Sequence, residues 1–211
     1  MTVPDRPGDR RIQDNSFLKT LRTQTRPAHE ELERLALSRA LISPSLDLPS
    51  YITYLKLMYS VVADMEDHMY HTLGEIIPDL DSRRKSAKIV SDLRDLEQSI
   101  PQADFRPLSK LPGSDDPAFA LGMFYVLEGS VLGGRFILKN VEQTLGLNAA
   151  RGASYFSGYQ AQTGKRWNEF LDTLTGFESK NQCGKRIIWG AESAFRAIYD
   201  HLTWQQSDSQ A

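Results

Sequence analysis

Apolar residues recur along most of this chain at spacings of three, four and seven positions, the repeat that marks one face of an amphipathic α-helix. In the first such stretch the pattern is carried by Leu18, Leu21, Ala28, Leu32 and Leu35. No segment sustains the strict alternation of apolar and polar residues that a half-buried β-strand shows. The pattern therefore predicts an all-α fold.

Capping and helix-breaking residues set the ends of the predicted helices. Pro27 interrupts the first helix, where we expect a kink or a new start with Thr25 as the cap. Asp116 and Pro117 match an N-cap followed by proline at the first helical position, and Gly146 matches a helix stop. The predicted helices span residues 16–41, 50–73, 79–99, 117–145, 159–175 and 184–204.

The length of 211 residues fits one domain with a single hydrophobic core. We expect a helical domain over residues 16–204, preceded by a flexible segment at 1–15 and followed by a frayed tail at 205–211. The region 101–116 contains three prolines and is predicted to be a loop.

Charge and cysteine content exclude several classes of function. Lys and Arg number 25 against 27 Asp and Glu, so the net charge of −2 gives no support for nucleic acid or an anionic membrane as a partner. No targeting segment and no long uninterrupted apolar run is visible, and the cytoplasm is the expected location. Cys183 is the only cysteine, which excludes an intrachain disulfide and a cysteine-rich metal site.

The chain has four histidines: His29, His68, His71 and His201. A carboxylate-bridged di-iron bundle needs Glu-x-x-His pairs on separate helices. The residues three positions before these histidines are Arg26, Met65, His68 and Ile198, so that class is excluded. No phosphate-binding glycine loop and no Gly-x-Ser-x-Gly motif is present either.

Thr25, His29 and Glu33 are spaced by four residues and share one face of a helix. A histidine that binds a metal generally has its second ring nitrogen held by an acceptor, and Glu33 stands one turn away to supply one. The same spacing also fits a surface histidine that pairs with a carboxylate, and spacing does not separate the two readings.

Three glycines lie inside the predicted fourth helix: Gly129, Gly133 and Gly134. Together they lower its helix preference by roughly 3 kcal/mol relative to alanine, so something must compensate. Gly129 and Gly133 share a face and leave bare backbone there. That strip fits a flat ligand, and it also fits tight helix packing or a break between two shorter helices.

Taken together, the spacing of Thr25, His29 and Glu33 and the sequence YVLEGSVLGG at Tyr125 to Gly134 resemble the heme oxygenase family. The second motif is similar to that of bacterial members, including those that supply bilin to bacteriophytochromes. The resemblance covers about residues 16–204 in length, helix count and helix order.

The resemblance implies a single-domain heme-oxygenase-like bundle that holds heme between a proximal helix and a kinked, glycine-rich distal helix. His29 would bind the heme iron, with Glu33 as its partner and Thr25 beside it. Gly129, Gly133, Gly134 and Ser130 would lie on the distal side. Ser130 occupies the position where mammalian-type members have an aspartate that organises distal water.

The implied reaction is oxidative cleavage of heme, as substrate and cofactor, to biliverdin, carbon monoxide and ferrous iron. It would use O2 and electrons from ferredoxin or an NAD(P)H-dependent reductase, and a bacteriophytochrome is one acceptor for the product. Propionate contacts are expected from arginines and a lysine, and pocket walls from aromatic residues. These are Arg22, Arg26, Arg135, Lys139 and Arg166, and Phe124, Tyr125, Phe170 and Phe195.

Two alternatives stay open at this point. One is a heme-binding or carrier protein of the same fold that does not turn heme over, because Ser130 replaces the aspartate. The other is an enzyme of the wider fold that uses a thiamin-type or quinone-type substrate, for which His29 would not matter.

Overall fold

A computed structural model describes residues 16–101 and 107–208 of the chain, with side chains described as far as Thr203. Within these residues there is no β-strand, which confirms the all-α prediction. The α-helices are α1 (Ser16–Arg34), α2 (Ala36–Ala40), α3 (Leu48–His68), α4 (Tyr70–Leu73), α5 (Ser86–Asp95), α6 (Pro117–Leu145), α7 (Thr163–Asn181) and α8 (Gly184–Asp208). Short 3-10 turns occupy Leu80–Arg83, Tyr155–Ser157 and Gln160–Gln162.

Helix α1 runs through Pro27 without a new start, so the prediction of Thr25 as a cap is wrong. Thr25 is buried inside the helix and its hydroxyl donates to the Leu21 carbonyl at 2.8 Å. Proline removes the N–H that would bond to the carbonyl of Thr23, and because Thr23 and Pro27 are both exposed, water can take its place. The helix ends instead at Leu35, whose backbone is extended at φ −55° and ψ 141°.

The other predicted helix boundaries are partly confirmed and partly wrong. Asp116 caps α6 as predicted, by accepting from the Phe119 N–H at 2.9 Å. Asp47, which was not predicted as a cap, caps α3 by accepting from the Ser50 N–H at 2.7 Å. Gly146 ends α6 in the left-handed region at φ 68°.

The predicted helix 79–99 is wrong at both ends, because α5 covers only ten residues, and α7 begins at Thr163 rather than 159. Helix α8 continues four residues beyond its predicted end at 204, into the segment predicted to be frayed. The segment 1–15 and the last residues of the tail lie outside the described part of the chain.

The core is organised around α6, which packs most extensively against α8. Two glycines permit this contact: a Cβ on Gly122 would lie 1.9 Å from the Ile187 carbonyl oxygen, and one on Gly190 would lie 2.1 Å from the Phe119 carbonyl oxygen. The two backbones therefore touch, and no larger residue fits at either crossing point.

By length and composition α6 could cross a membrane, and it is the one such helix among the described residues. Half of its most apolar window is buried inside the fold. A central core helix is expected to have the same composition.

Helix α8 also packs against α1, so α1 and α6 both lie on α8. Phe17 at the start of α1 lies beside Gly184 at the start of α8, and His29 lies beside Phe195, so the two helices run in the same direction. Along α6, Asp116 meets Arg186 and Gly122 meets Ala191, so α6 runs parallel to α8 as well.

Candidate functional site

His29 lies on the side of α1 that faces α8. Its ring meets the Phe195 ring edge-on with centroids 5.6 Å apart, and Nδ1 lies 3.6 Å from Glu33 Oε1. The His29 side chain is 43% exposed, so the ring is held on one edge and is open to a ligand on another. This arrangement agrees with the predicted pairing of a histidine with the carboxylate one turn away.

The register of the parallel helices sets His29 opposite the middle of α6. Along α6, Asp116 contacts Arg186, Phe119 contacts Trp189 and Gly190, and Gly122 contacts Ile187 and Ala191. If this register continues along the two helices, Phe195 of α8 lies level with residues Tyr125 to Gly129 of α6. His29 contacts Phe195 and therefore lies at the same level. Since α1 and α6 both pack on α8 far more than on each other, a cleft is expected between them at this level.

The three glycines of the motif differ in what surrounds them. A Cβ on Gly133 would meet nothing within 4 Å, and one on Gly129 would meet only the Trp167 ring at 3.6 Å. A Cβ on Gly134 would lie 2.7 Å from the Phe156 carbonyl oxygen. Gly134 therefore permits packing against the segment around Phe156, which corrects the prediction that groups it with the open strip of Gly129 and Gly133.

Ser130 is exposed beside this strip, and its hydroxyl donates to the Leu127 carbonyl at 2.8 Å. Tyr155, in the segment that follows α6, is only 9% exposed, and burial raises its pKa.

The predicted pocket walls lie in different surroundings. Phe124 is a core residue, packed edge-on against Tyr70 and Phe170. Tyr125 is partly buried and packs on Trp167, whose ring also covers Gly129. Phe195 is the predicted wall residue that touches His29.

The predicted propionate contacts are dispersed. Arg26 is 73% exposed and pairs with Glu30 of its own helix, and Arg135 stacks over the neighbouring Phe136 ring at 4.8 Å. Arg166 pairs with Asp79 at 3.3 Å and donates to the Ser82 carbonyl, so its guanidinium is already bound within the fold. Arg22 and Lys139 are exposed on α1 and α6 respectively.

Comparison with known proteins decides the family. A family model described as heme oxygenase matches residues 15–202, which is most of the chain. The chain belongs to the heme oxygenase family. It is 27% identical over 179 residues to the heme oxygenase PigA of Pseudomonas aeruginosa, which spans 84% of this chain and 87% of that protein.

Solved heme oxygenases share the fold. The NO- and CO-bound enzyme from Neisseria meningitidis superposes with a TM-score of 0.75 at 27% identity, covering 90% of this chain and 92% of that one. The enzyme from Leptospira interrogans gives 0.71 at 16% identity over 90% of this chain and 100% of that one. Heme oxygenase-1 from Synechocystis in complex with heme gives 0.70 at 15% identity over 92% and 94%.

A buried ionic cluster on α6 was not among the features predicted from the sequence. Glu128, 2% exposed, accepts from Arg83 at 2.6 Å, from Tyr159 at 2.7 Å and from Lys85. Arg83 reaches on to Asp79 at 2.8 Å. A lone glutamate between Leu127 and Gly129 in an apolar helix signals a paired charge, because an unpaired one costs too much to bury.

The cluster explains why the predicted helix 79–99 is shortened. Arg83 and Lys85 must both turn inward to reach Glu128, and a continuous helix places residues two apart on different faces. The chain therefore forms a 3-10 turn at Leu80–Arg83 and starts α5 only at Ser86.

The side chains at this site fit a single histidine ligand rather than a metal site built from several protein ligands. Among the described residues no group of three or more His, Cys, Asp or Glu side chains could hold a metal ion. Heme brings four nitrogen ligands of its own and needs one protein ligand and flat, open backbone on the other side. His29 and the open backbone at Gly133 lie on two helices that both pack against α8.

Proposed function

We propose that this chain binds heme between α1 and α6 and cleaves it oxidatively to biliverdin, carbon monoxide and ferrous iron. One observation supports the proposal most directly. In this member of the heme oxygenase family, His29 of α1 and the open strip at Gly129 and Gly133 of α6 lie on two helices that both pack against α8. When bound, heme is the substrate and also supplies the iron at which O2 is activated.

On the proximal side, His29 would hold the heme iron through Nε2, because Nδ1 faces Glu33. Glu33 and the edge-on contact with Phe195 would orient the ring, as the hydrogen-bond partners of metal-binding histidines generally do.

On the distal side, the absence of side chains at Gly129 and Gly133 would let the α6 backbone approach the macrocycle closely. A close backbone restricts the position of anything bound above the ring, and it places no bulky group there. Ser130 would present a hydroxyl at the edge of this strip.

The electron donor would be ferredoxin or an NAD(P)H-dependent reductase, and a bacteriophytochrome is one acceptor of the biliverdin. The cytoplasm remains the predicted location. The exposed arginines Arg22 and Arg135 stay predicted contacts of the heme propionates, since a guanidinium can bind a carboxylate at a solvent-facing edge.

The test is a hemin titration of the purified chain, followed by reduction in air and identification of the pigment. We expect a Soret band distinct from that of free hemin, followed by its loss and the appearance of biliverdin. His29→Ala should lose the axial-ligand signature and regain it with added imidazole. His71→Ala removes an exposed histidine of α4 and is the matched control, which should behave as the native protein.

Three results would contradict the proposal: a spectrum that stays that of free hemin, an unchanged axial signature in His29→Ala, or heme recovered intact after reduction in air. The last result would identify a heme carrier of the same fold.

A further inference from the structure

Asn140 of α6 joins the two walls of the proposed heme cleft at one end. Its side-chain amide donates through Nδ2 to the Leu41 carbonyl at 2.9 Å and to the Ser43 carbonyl at 2.8 Å. Both partners are backbone acceptors, so the NH2 group of the amide must face them, and both of its N–H bonds are used. One side chain thereby ties α6 to the end of α2, which lies 97 to 99 residues earlier in the sequence.

The segment that accepts these bonds continues from the helix that carries His29. Helix α2 begins two residues after α1 ends, and Leu41 caps the end of α2. Leu41 is 2% exposed, and the Leu46 N–H donates to the Ser43 carbonyl at 3.2 Å. The two carbonyls that Asn140 binds are therefore held in place by the core and by their own turn.

Asn140 lies on the same face of α6 as the open glycines. Gly129, Gly133 and Asn140 follow one another at spacings of four and seven residues, which mark one face of a helix with 3.6 residues per turn. The next residue, Val141, is fully buried and anchors this part of α6 in the core. Because Asn140 reaches the end of α2 from this face, the strip at Gly129 and Gly133 is turned toward the segment formed by α1 and α2.

The cleft that Asn140 closes is open farther along α6. A Cβ on Gly133, two turns before Asn140, would meet nothing within 4 Å, and the His29 side chain of α1 is 43% exposed. The two walls therefore meet at Asn140 and leave space between them at Gly133. A planar ligand that lies between His29 and Gly133 requires one fixed separation of these walls.

We propose that Asn140 is a positioning residue that sets the separation of α6 from the α1–α2 segment and so fixes how heme lies against the open glycines. This role deepens the proposed function and rests on it. Two directional bonds from one planar amide fix both the distance of α6 and its rotation about its own axis. Without them the two walls would have more freedom to lose when heme binds, and part of the binding free energy would be used to order them.

The test compares Asn140→Asp with Asn181→Asp. Aspartate has nearly the shape of asparagine but lacks its N–H donors, so the first variant removes both bonds with little change in volume. Asn181 is the matched control, because its amide donates at 2.8 Å to the Phe177 carbonyl of its own helix, α7. Asn140→Gln keeps both donors on a side chain one methylene longer and is the conservative variant.

The first measurement is amide hydrogen exchange in the ligand-free protein. The amide protons of Ile42, Ser43 and Leu46 bond within the turn that Asn140 holds, and in Asn140→Asp they should exchange about tenfold faster, the effect of losing roughly one net hydrogen bond. Asn181→Asp should leave their exchange unchanged, and Asn140→Gln should restore most of the protection.

The second measurement uses the heme-loaded protein. The Soret band of Asn140→Asp should stay native, because His29 is untouched, but hemin transfer to excess apomyoglobin should be about tenfold faster. The CO stretching band of the ferrous complex should broaden or split, because the bound gas would meet the α6 backbone at more than one distance. A loss of overall stability by itself would not split this band, and Asn181→Asp should show neither change.

Two results would overturn the role of Asn140 while hemin binding and cleavage by the native protein stand. One is equal exchange, equal hemin transfer and equal CO bands in Asn140→Asp and Asn181→Asp. The other is faster exchange at the end of α2 with native hemin transfer and a native CO band, because the two bonds would then hold only the fold. Failure of the native protein to bind hemin would instead overturn the proposed function.

Discussion

The two helices on either side of the proposed heme site contribute opposite things. Helix α1 contributes a side chain: His29 projects from a helix whose outer face is covered by exposed ion pairs such as Arg26 with Glu30. Helix α6 contributes bare backbone at Gly129 and Gly133, and its N-terminal part, from Ala118 to Glu128, is almost entirely buried.

This difference separates binding from stability. A half-exposed ligand on α1 can be changed with little effect on folding, because few core contacts depend on it. The glycines of α6 belong to a helix that touches α8 through its backbone and encloses a buried ion cluster. Variants of α6 should therefore alter folding and binding together unless they are confined to the open strip.

The largest expected effect is on folding. Glu128→Ala leaves Arg83 and Lys85 buried without their shared carboxylate, which should lower the free energy of unfolding by about 3–5 kcal/mol. Denaturant unfolding measures it. Glu30→Ala breaks an exposed ion pair of α1 and should change stability little. Equal losses of unfolding free energy in the two variants would show that α1 and α6 do not differ in their contribution to stability.

The next effect concerns the crossing of α6 and α8. Gly122→Ala places a methyl group 1.9 Å from the Ile187 carbonyl oxygen, so we expect a loss of about 1–3 kcal/mol in thermal or denaturant unfolding. Gly176→Ala in α7 meets nothing within 4 Å and is the matched control, which should be neutral or stabilising. A stable Gly122→Ala variant would show that the helices do not touch there.

A smaller effect of opposite sign is expected in the open strip. Gly133→Ala meets nothing within 4 Å in the ligand-free fold, so better helix propensity should stabilise it by up to about 1 kcal/mol. Hemin should bind it more weakly, because the methyl group projects where the ligand would lie. Parallel unfolding and hemin titrations measure both, and unchanged hemin affinity would place the ligand elsewhere.

The smallest effect on stability is expected for Glu33→Gln on α1, because the side chain is 60% exposed. The carboxylate lies 3.6 Å from His29 Nδ1, so its loss should instead weaken hemin binding by about tenfold, the low end for a residue that orients a metal-binding histidine. Glu31→Gln, also exposed on α1, is the control. Identical affinities for the two variants would show that Glu33 does not orient His29.

Several of these features were readable from sequence because they depend on local physics. The cap at Asp116, the stop at Gly146 and the shared face of His29 and Glu33 follow from spacing of four residues or fewer. The continuous path of α1 through Pro27 was not predictable, because solvent exposure decides whether the freed carbonyl costs anything.

Other features required the tertiary contacts. The sequence marks Gly129, Gly133 and Gly134 as equally unusual, yet only packing separates Gly134, which faces Phe156, from the open pair. The partners of Glu128 lie between 31 and 45 residues away in the chain, and no local pattern connects them.

By itself, then, the sequence determined the all-α class, the cap at Asp116, the family motif and the candidate ligand, because helix periodicity and capping act within a few residues. Only the tertiary structure decided which glycines are open and which charges are paired. Burial and hydrogen bonding across distant segments are properties of the packed chain, and no short stretch of sequence records them.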